Sequence, residues 1–121
     1  MTRFVLACLA FPLCAWAGDA AKGREIALAR MDGACLLCHV IPGADRPAGN
    51  IGPSLAGVGS RLGAEELRLR IADASRFKAE TVMPPYGRVD GLYSVGAQYR
   101  GKPLLTPQQI DDLVAFLLTL K

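Results

Sequence analysis

One short segment of this chain combines residue types and a spacing that suit covalent attachment of a cofactor: Cys35-Leu36-Leu37-Cys38-His39. Two thiols three positions apart can each form a thioether with one vinyl group of a porphyrin. The residue that follows is then held beneath the ring, where an imidazole can bind the iron. The segment therefore predicts a c-type haem attached through Cys35 and Cys38, with His39 as an axial ligand.

Three other uses of paired cysteines fit the sequence less well. A structural zinc site needs four ligands, and beyond residue 17 the chain has two cysteines and one histidine, all within five residues. A redox-active Cys-x-x-Cys motif is typical of a strand-helix-strand unit, and no alternating strand pattern surrounds this one. A simple disulfide between Cys35 and Cys38 is the third alternative.

The second axial position has a short list of candidates. His39 is the only histidine, so the choices are Met31, Met83, an amine or no ligand. Met83 is followed by two prolines, which fix the backbone and would hold a thioether on a rigid turn. Met31 is expected in the core. We therefore favour Met83, because a thioether opposite histidine raises the reduction potential; a buried Met83 would instead leave an open position for ligand binding.

Helices and one long loop must position these residues. Asp19 is a good cap for a first helix from Ala20 to Met31, and a second helix is predicted from Ala64 to Ala74. Residues 41–63 are rich in glycine and proline and predict a loop that wraps the haem edge. The expected apolar anchors of that loop are Ile51, Leu55 and Val58.

The last helix has the clearest signals. Thr106-Pro107-Gln108-Gln109 is a capping box with proline at the first helical position. The stripe expected to pack on the first helix consists of Ile110, Leu113, Val114 and Leu117. The residues expected to face away from it are Asp111, Asp112, Ala115 and Thr119. Residues 90–102 are polar and glycine-rich and contain Tyr93 and Tyr99, which fits either a surface excursion or a loop that faces a partner.

The first residues predict a targeting segment. Arg3, a short apolar run and Ala15-Trp16-Ala17 together form the pattern of a cleaved signal peptide, residues 1–17. Residues 18–121 are then a single exported domain, which we expect in the periplasm. They carry 13 basic and 11 acidic side chains, a balance that favours neither nucleic acid nor a membrane surface as a partner.

Across residues 18–121 the chain resembles the class I cytochrome c family. The resemblance is carried by Gly18-Asp19 and Lys22-Gly23 in the first helix, by Gly52-Pro53-x-Leu55-x-Gly57, by Arg61 and by Met83-Pro84. It implies an all-α fold in which terminal helices cross around one covalently bound haem c, with Gly23 at the crossing. Ala27 departs from the pattern, because the family usually has an aromatic residue there.

The same resemblance implies roles for further residues. The carbonyl of Pro53 would accept a hydrogen bond from His39, which fixes the orientation of the imidazole. Leu55 would contact the haem, and Arg61 would lie near a propionate. Met83 matches the methionine ligand of the family.

Longer matches point to one branch of the family, the SoxX subunits of SoxXA complexes. The matching segments are Gly49-Asn50-Ile51-Gly52-Pro53, Asp73-Ala74-Ser75-Arg76-Phe77, Thr81-Val82-Met83-Pro84-Pro85-Tyr86 and residues 100–106. This resemblance implies a heterodimer with a multihaem SoxA-type subunit. The complex would couple thiosulfate to a cysteine of the carrier protein SoxYZ, as an L-cysteine S-thiosulfotransferase, and pass electrons to a downstream cytochrome c.

Two other functions agree with the same residues. A free class I cytochrome c would shuttle electrons without an obligate partner, although the chain has few lysines to ring a haem edge: Lys22, Lys78, Lys102 and Lys121. A haem-based ligand-binding or sensing module would have an open sixth position that binds carbon monoxide.

Overall fold

The computed structural model describes residues 18–121, and in that range the chain is helical without strands, as the sequence predicts. The predicted signal peptide, residues 1–17, lies outside the described residues. The α-helices are α1 (Ala20–Leu28), α2 (Val58–Arg61), α3 (Ala64–Ala72) and α4 (Pro107–Leu118). Single 3₁₀ turns are formed by Cys35–Leu37, Ala74–Arg76 and Ala97–Tyr99. None of the helices between residues 18 and 121 has the length and apolar character needed to cross a bilayer.

Helix α4 is the element on which the other helices pack. It begins with the predicted capping box, in which Thr106 Oγ1 accepts from the Gln109 amide at 3.2 Å and Gln109 Oε1 accepts from the Thr106 amide at 2.8 Å. The predicted apolar stripe is buried, from Ile110 through Leu113 and Val114 to Leu117. This stripe forms most of one wall of the hydrophobic core.

Helices α1 and α4 cross in close contact, as the sequence predicts. A β-carbon on Gly23 would lie 1.9 Å from the carbonyl oxygen of Asp112, so only glycine permits this approach of the two backbones. Ala27, one turn further along, is fully buried. A small side chain thus fills the position where the family resemblance implies an aromatic one.

The prediction that Asp111 and Asp112 face away from the core is wrong. Both are buried, with 8% and 5% of their surface exposed. Asp112 Oδ1 accepts from the backbone amide of Asp19 at 2.8 Å, and Asp111 Oδ1 accepts from Arg68 Nε at 2.7 Å. The two carboxylates can be buried because each has a polar partner elsewhere in the chain: Arg68 on α3 for Asp111, and the N-cap residue Asp19 of α1 for Asp112.

Helix α1 is shorter than predicted, because it ends at Leu28 rather than at Met31. Its C-terminal carbonyl at Leu28 accepts from the side chain of Arg46, and Arg24 Nη2 donates to the carbonyl of Gly43 at 2.9 Å. The loop that follows the cysteines thus covers the end of α1. Met31 lies beyond that end and is 81% exposed, so its predicted place in the core is wrong.

The long loop after the cysteine segment differs in detail from its prediction. It contains the short helix α2, and Val58 is buried while Leu55 packs against the core, both as expected. Ile51 is 68% exposed, so it does not anchor the loop in the core. Helix α3 ends at Ala72, two residues before its predicted end.

Candidate haem site

A single tight turn presents both thiols and the imidazole. Ala34, with a left-handed φ of 50°, precedes the 3₁₀ turn Cys35–Leu37. The carbonyl of Cys35 then accepts from the amides of Cys38 at 3.1 Å and His39 at 2.9 Å. Cys35 and Cys38 are free thiols, each partly buried. The turn therefore brings together the three residues of the predicted attachment motif.

The imidazole of His39 is oriented by a neighbouring loop. Its Nδ1 lies 2.6 Å from the carbonyl oxygen of Pro53. Because a carbonyl can only accept, Nδ1 must carry the proton, which leaves a lone pair on Nε2. This hydrogen bond is the one that the family resemblance implies. It leaves Nε2 free, and an iron ion would bind that nitrogen.

The loop that carries Pro53 is fixed to the cysteine segment by backbone bonds. Gly49 donates to the carbonyl of Leu36 at 2.9 Å, and Gly52 donates to that of Cys38 at 2.8 Å. A β-carbon on Gly52 would lie 2.4 Å from Cε1 of the His39 ring. The ring therefore packs directly on the backbone of this glycine, and a larger residue would displace it.

The remaining residues predicted from the family lie on the same loop or just after it. Leu55 donates its amide to the carbonyl of Val40 at 2.8 Å and packs against the core. Arg61, at the end of α2, donates through Nη1 to the carbonyl of Ala56 at 2.7 Å. Arg61 thus closes the loop that follows Pro53, and its predicted position near a propionate stays a prediction.

Met83 comes from a separate part of the chain. It is partly buried, packs against the core, and its amide donates to Thr81 Oγ1 at 3.2 Å. The turn after Pro84 and Pro85 is fastened to the end of α3, where Gly87 donates to the carbonyl of Ala72 at 3.0 Å. Hydrogen bonds therefore hold the backbone both at Met83 and just after Pro85.

Tyr86 joins the Met83 turn to the cysteine segment. Its hydroxyl donates to the carbonyl of Gly33 at 2.6 Å, in a buried contact. Its backbone carbonyl accepts from Leu105 at 3.0 Å, just before α4. Burial raises the pKa of Tyr86 to about 12, so the hydroxyl remains a donor throughout the neutral range. Sequence analysis gave this residue no role, because nothing in the sequence identifies a partner 53 positions away.

The chemical state of Cys35 in the folded chain follows from its surroundings. Burial raises the pKa of the Cys35 thiol to about 11, its backbone hydrogen bond partly offsets that effect, and the nearby Cys38 adds to it. Cys35 is therefore a neutral thiol at neutral pH and a poor nucleophile.

The residues present fit a covalently bound haem. The candidate ligands are an imidazole with a free Nε2, next in sequence to two thiols spaced for attachment, and a thioether on a rigid turn. The segments that carry these groups also leave apolar side chains exposed: Leu37, Val40 and Ile51 on one, Phe77 and Val82 on the other. A flat apolar ring would cover such surface. Within residues 18–121, no group of three or more His, Cys, Asp or Glu side chains could hold a bare metal ion.

Comparison with known families agrees with this fold and site. The family model described as cytochrome c matches residues 20–121. The chain therefore belongs to the cytochrome c family, the electron-transfer proteins that carry covalently bound haem c. A search of curated protein sequences gave no match.

Solved structures place the chain more narrowly. It is 37% identical to a chain in the crystal structure of SoxXA from P. pantotrophus, with 87% of this chain and 83% of that chain covered and a TM-score of 0.77. It is 24% identical to the c-type cytochrome SorU from Sinorhizobium meliloti, with coverages of 84% and 88% and a TM-score of 0.54. The second likeness concerns the fold alone. The first agrees with the resemblance to SoxX that the sequence motifs carry.

Proposed function

We propose that this chain is a periplasmic monohaem cytochrome c and the electron-transfer subunit of a SoxXA-type complex. The observation that carries the proposal is the 37% identity over 87% of the chain to a chain of the SoxXA crystal structure. The single Cys-x-x-Cys-His segment supports one haem, and the predicted signal peptide supports the periplasm. A SoxA-type multihaem subunit is the proposed partner.

In this proposal each site residue has a distinct task. Cys35 and Cys38 would hold the haem through thioethers, and His39 and Met83 would be the ligands of its iron. The carbonyl oxygen of Pro53 lies 2.6 Å from His39 Nδ1, so it keeps the proton on that nitrogen. Leu55 and Arg61 lie just after Pro53, in the segment that contacts His39. When bound, the haem supplies a one-electron couple, whose potential the Met83 thioether raises.

The sulfur chemistry belongs to the partner. Joining thiosulfate to a cysteine thiolate of a SoxYZ carrier forms one sulfur-sulfur bond and releases two electrons. Cys35 and Cys38 are the only cysteines among residues 18–121, and thioether formation uses both. This chain therefore accepts the electrons, one at a time, and passes them to a downstream cytochrome c.

The experiment that tests this function is native mass measurement with haem staining on the protein purified from its own host grown on thiosulfate. A stoichiometric complex with a second, larger haem-bearing chain is expected. That complex should reduce a cytochrome c acceptor only when both thiosulfate and the SoxYZ carrier are present. A lone monohaem monomer, or a ferrous protein that binds carbon monoxide readily, would contradict the proposal and favour a free carrier or a sensing module, respectively.

The ligand assignment predicts the behaviour of a Met83→Ala variant. It should retain covalent haem, lose the methionine-iron charge-transfer band, and show a potential lower by on the order of 100 mV, within the range of about 0.8 V that axial ligands span. Met31→Ala is the matched control, because Met31 is 81% exposed and should leave band and potential unchanged. Redox titration of both variants checks this, and an unaltered potential in Met83→Ala would reject Met83 as the ligand.

A further inference from the structure

Residues 88–104 lead from the Met83 turn to α4 and form a groove outside the candidate haem site. The only regular piece in this segment is the 3₁₀ turn Ala97–Tyr99, and left-handed turns at Gly91, Ser94 and Gly101 shape the rest. Together with Pro85 the segment encloses a groove of about 220 Å³. We refer to it as the 88–104 groove. Its apolar lining includes Leu92, Val95 and Leu104.

Aromatic side chains stand at this groove with little cover from the chain itself. Tyr93 is 95% exposed and Tyr99 is 36% exposed, and both line the groove. Leu104, also in its wall, is 40% exposed. Tyrosine and arginine beside an apolar centre are the composition typical of the energetically dominant part of protein interfaces. The groove therefore has the character of a protein-docking surface.

The charge of the chain is concentrated on the same segment. Residues 88–104 carry three basic side chains and one acidic one, whereas the other described residues carry ten of each sign. Two of the three basic residues line the groove itself: Arg88, whose charge is paired with Asp73 at 3.1 Å, and Lys102. A partner surface that fits this segment should therefore be acidic.

Arg88 also has hydrogen-bonding capacity that the described residues leave unused. Its Nη1 donates to Asp73 Oδ2 at 3.1 Å. Its Nε is buried, yet finds no acceptor within residues 18–121. A buried donor without an acceptor costs free energy, but this atom lies inside the chain and is not offered to a partner. Lys102 is therefore the basic side chain of the groove that a partner can contact.

We propose that the 88–104 groove is the surface on which the haem-bearing partner subunit docks. The partner places an apolar side chain in the groove and an acidic side chain against Lys102. This inference rests on the proposed function, since it names where the partner of that complex binds. Pro85 belongs both to the groove and to the turn that holds Met83, so docking here brings the partner next to the candidate electron-transfer site.

The test uses the full-length haem-loaded chain and the haem-bearing partner separated from the native complex. Affinity is measured by calorimetry for wild type and for two variants, Tyr93→Ala and Lys102→Glu, both at exposed positions. Each should weaken binding about tenfold or more, as expected for residues at the centre of an interface. Lys102→Glu should also reduce the salt dependence of the affinity.

Lys22→Glu on α1 is the matched control, because Lys22 is exposed and does not line the groove. It changes net charge as Lys102→Glu does and should leave the affinity unchanged. Unfolding midpoints and haem spectra of all variants should equal those of wild type, which separates docking from folding.

The outcomes distinguish this inference from the proposed function. If a haem-bearing partner is isolated and both groove variants bind it as wild type does, the docking surface is elsewhere and the inference is overturned. Equal losses in Lys22→Glu and Lys102→Glu would also overturn it, because net charge alone would then explain the effect. Self-association of this chain that the groove variants abolish would assign the groove to a second copy and overturn it too. Failure to find any partner subunit would instead contradict the proposed function, and this inference with it.

Discussion

At the scale of single residues, the chain uses buried polar groups to hold its terminal helices together. Asp112 lies on α4, and its Oδ1 accepts from the Asp19 amide at 2.8 Å and from Gln108 Nε2 at 3.0 Å. Asp19 in turn caps α1 by accepting from the amides of Ala21 and Lys22. The Asp112 carboxylate on α4 is thus hydrogen-bonded to Asp19, the residue that caps α1.

Removing that carboxylate should weaken the whole fold. Asp112→Ala leaves the Asp19 amide without its acceptor, so we expect the free energy of unfolding to fall by about 1 to 2 kcal/mol. Asp112→Asn keeps an oxygen acceptor at the same place and should lose less. Urea denaturation followed by circular dichroism measures both, and a larger loss in Asp112→Asn than in Asp112→Ala would contradict the assigned contact.

Residue spacing predicted the attachment motif but not these polar contacts. The Cys-x-x-Cys-His spacing is local, so the turn that unites Cys35, Cys38 and His39 can be predicted without knowing how the rest of the chain folds. Asp111 and Asp112 were assigned to solvent because charge on an amphipathic helix usually marks the exposed face. Their partners, Arg68 and Asp19, lie on other helices, and no pattern within α4 reveals them.

At the scale of elements, the Met83 turn is a short segment held by more distant parts of the chain. Tyr86 donates through its hydroxyl to Gly33, and its amide donates to the carbonyl of Ile71 at 3.3 Å. The turn is therefore linked to the segment before Cys35 and to α3. We expect Tyr86 to keep the thioether in place.

A Tyr86→Phe variant tests this expectation. It removes one hydroxyl and leaves the buried carbonyl of Gly33 without its donor, at a cost of about 1 to 2 kcal/mol. The methionine-iron band should disappear at a lower temperature than in wild type, whereas haem remains covalently attached. Tyr93→Phe is the control, because the Tyr93 side chain is 95% exposed. Equal melting of the band in wild type and Tyr86→Phe would show that the hydroxyl does not hold the turn.

Helix signals were predicted well where both the cap and the apolar stripe are local. The capping box and stripe of α4 and the Asp19 cap of α1 are as predicted. The end of α1 was not predicted correctly, because it depends on contacts with the loop after the cysteines. Arg46 of that loop contacts the end of α1, and Arg24 of α1 contacts the loop. The loop of residues 41–63 was recognised by its glycines and prolines, yet which of its apolar residues reach the core depends on the path of the chain.

At the scale of the whole molecule, the haem is expected to complete a core that the chain alone leaves open. Leu37, Ile51, Val82 and Phe77 are exposed on the segments that carry the candidate ligands. A chain of this size buries a limited fraction of its surface, so a covalently held ring contributes a large share of the apolar contacts. Fully burying one such side chain is worth about 1.5 to 3 kcal/mol.

A double variant, Cys35→Ala with Cys38→Ala, should therefore be destabilised by several kcal/mol, since it cannot attach the ring that covers several such side chains. Chemical denaturation should show an earlier and less cooperative transition than in wild type. Met83→Ala, which retains the ring, should lie between the two. A double variant that unfolds like wild type would show that the fold does not depend on haem.

The pairing of α1 with α4 also sets an order of events in time. The contact between Asp19 and Asp112 joins residues 93 positions apart, so α1 cannot be docked until α4 has been synthesised. Cys35 is made early, and in the closed chain it is partly buried, with the pKa of its thiol raised to about 11. We therefore expect haem to add to Cys35 more readily before the chain has closed, while the thiol is more exposed and ionises more easily. The long separation of α1 and α4 in the sequence provides such an interval during synthesis.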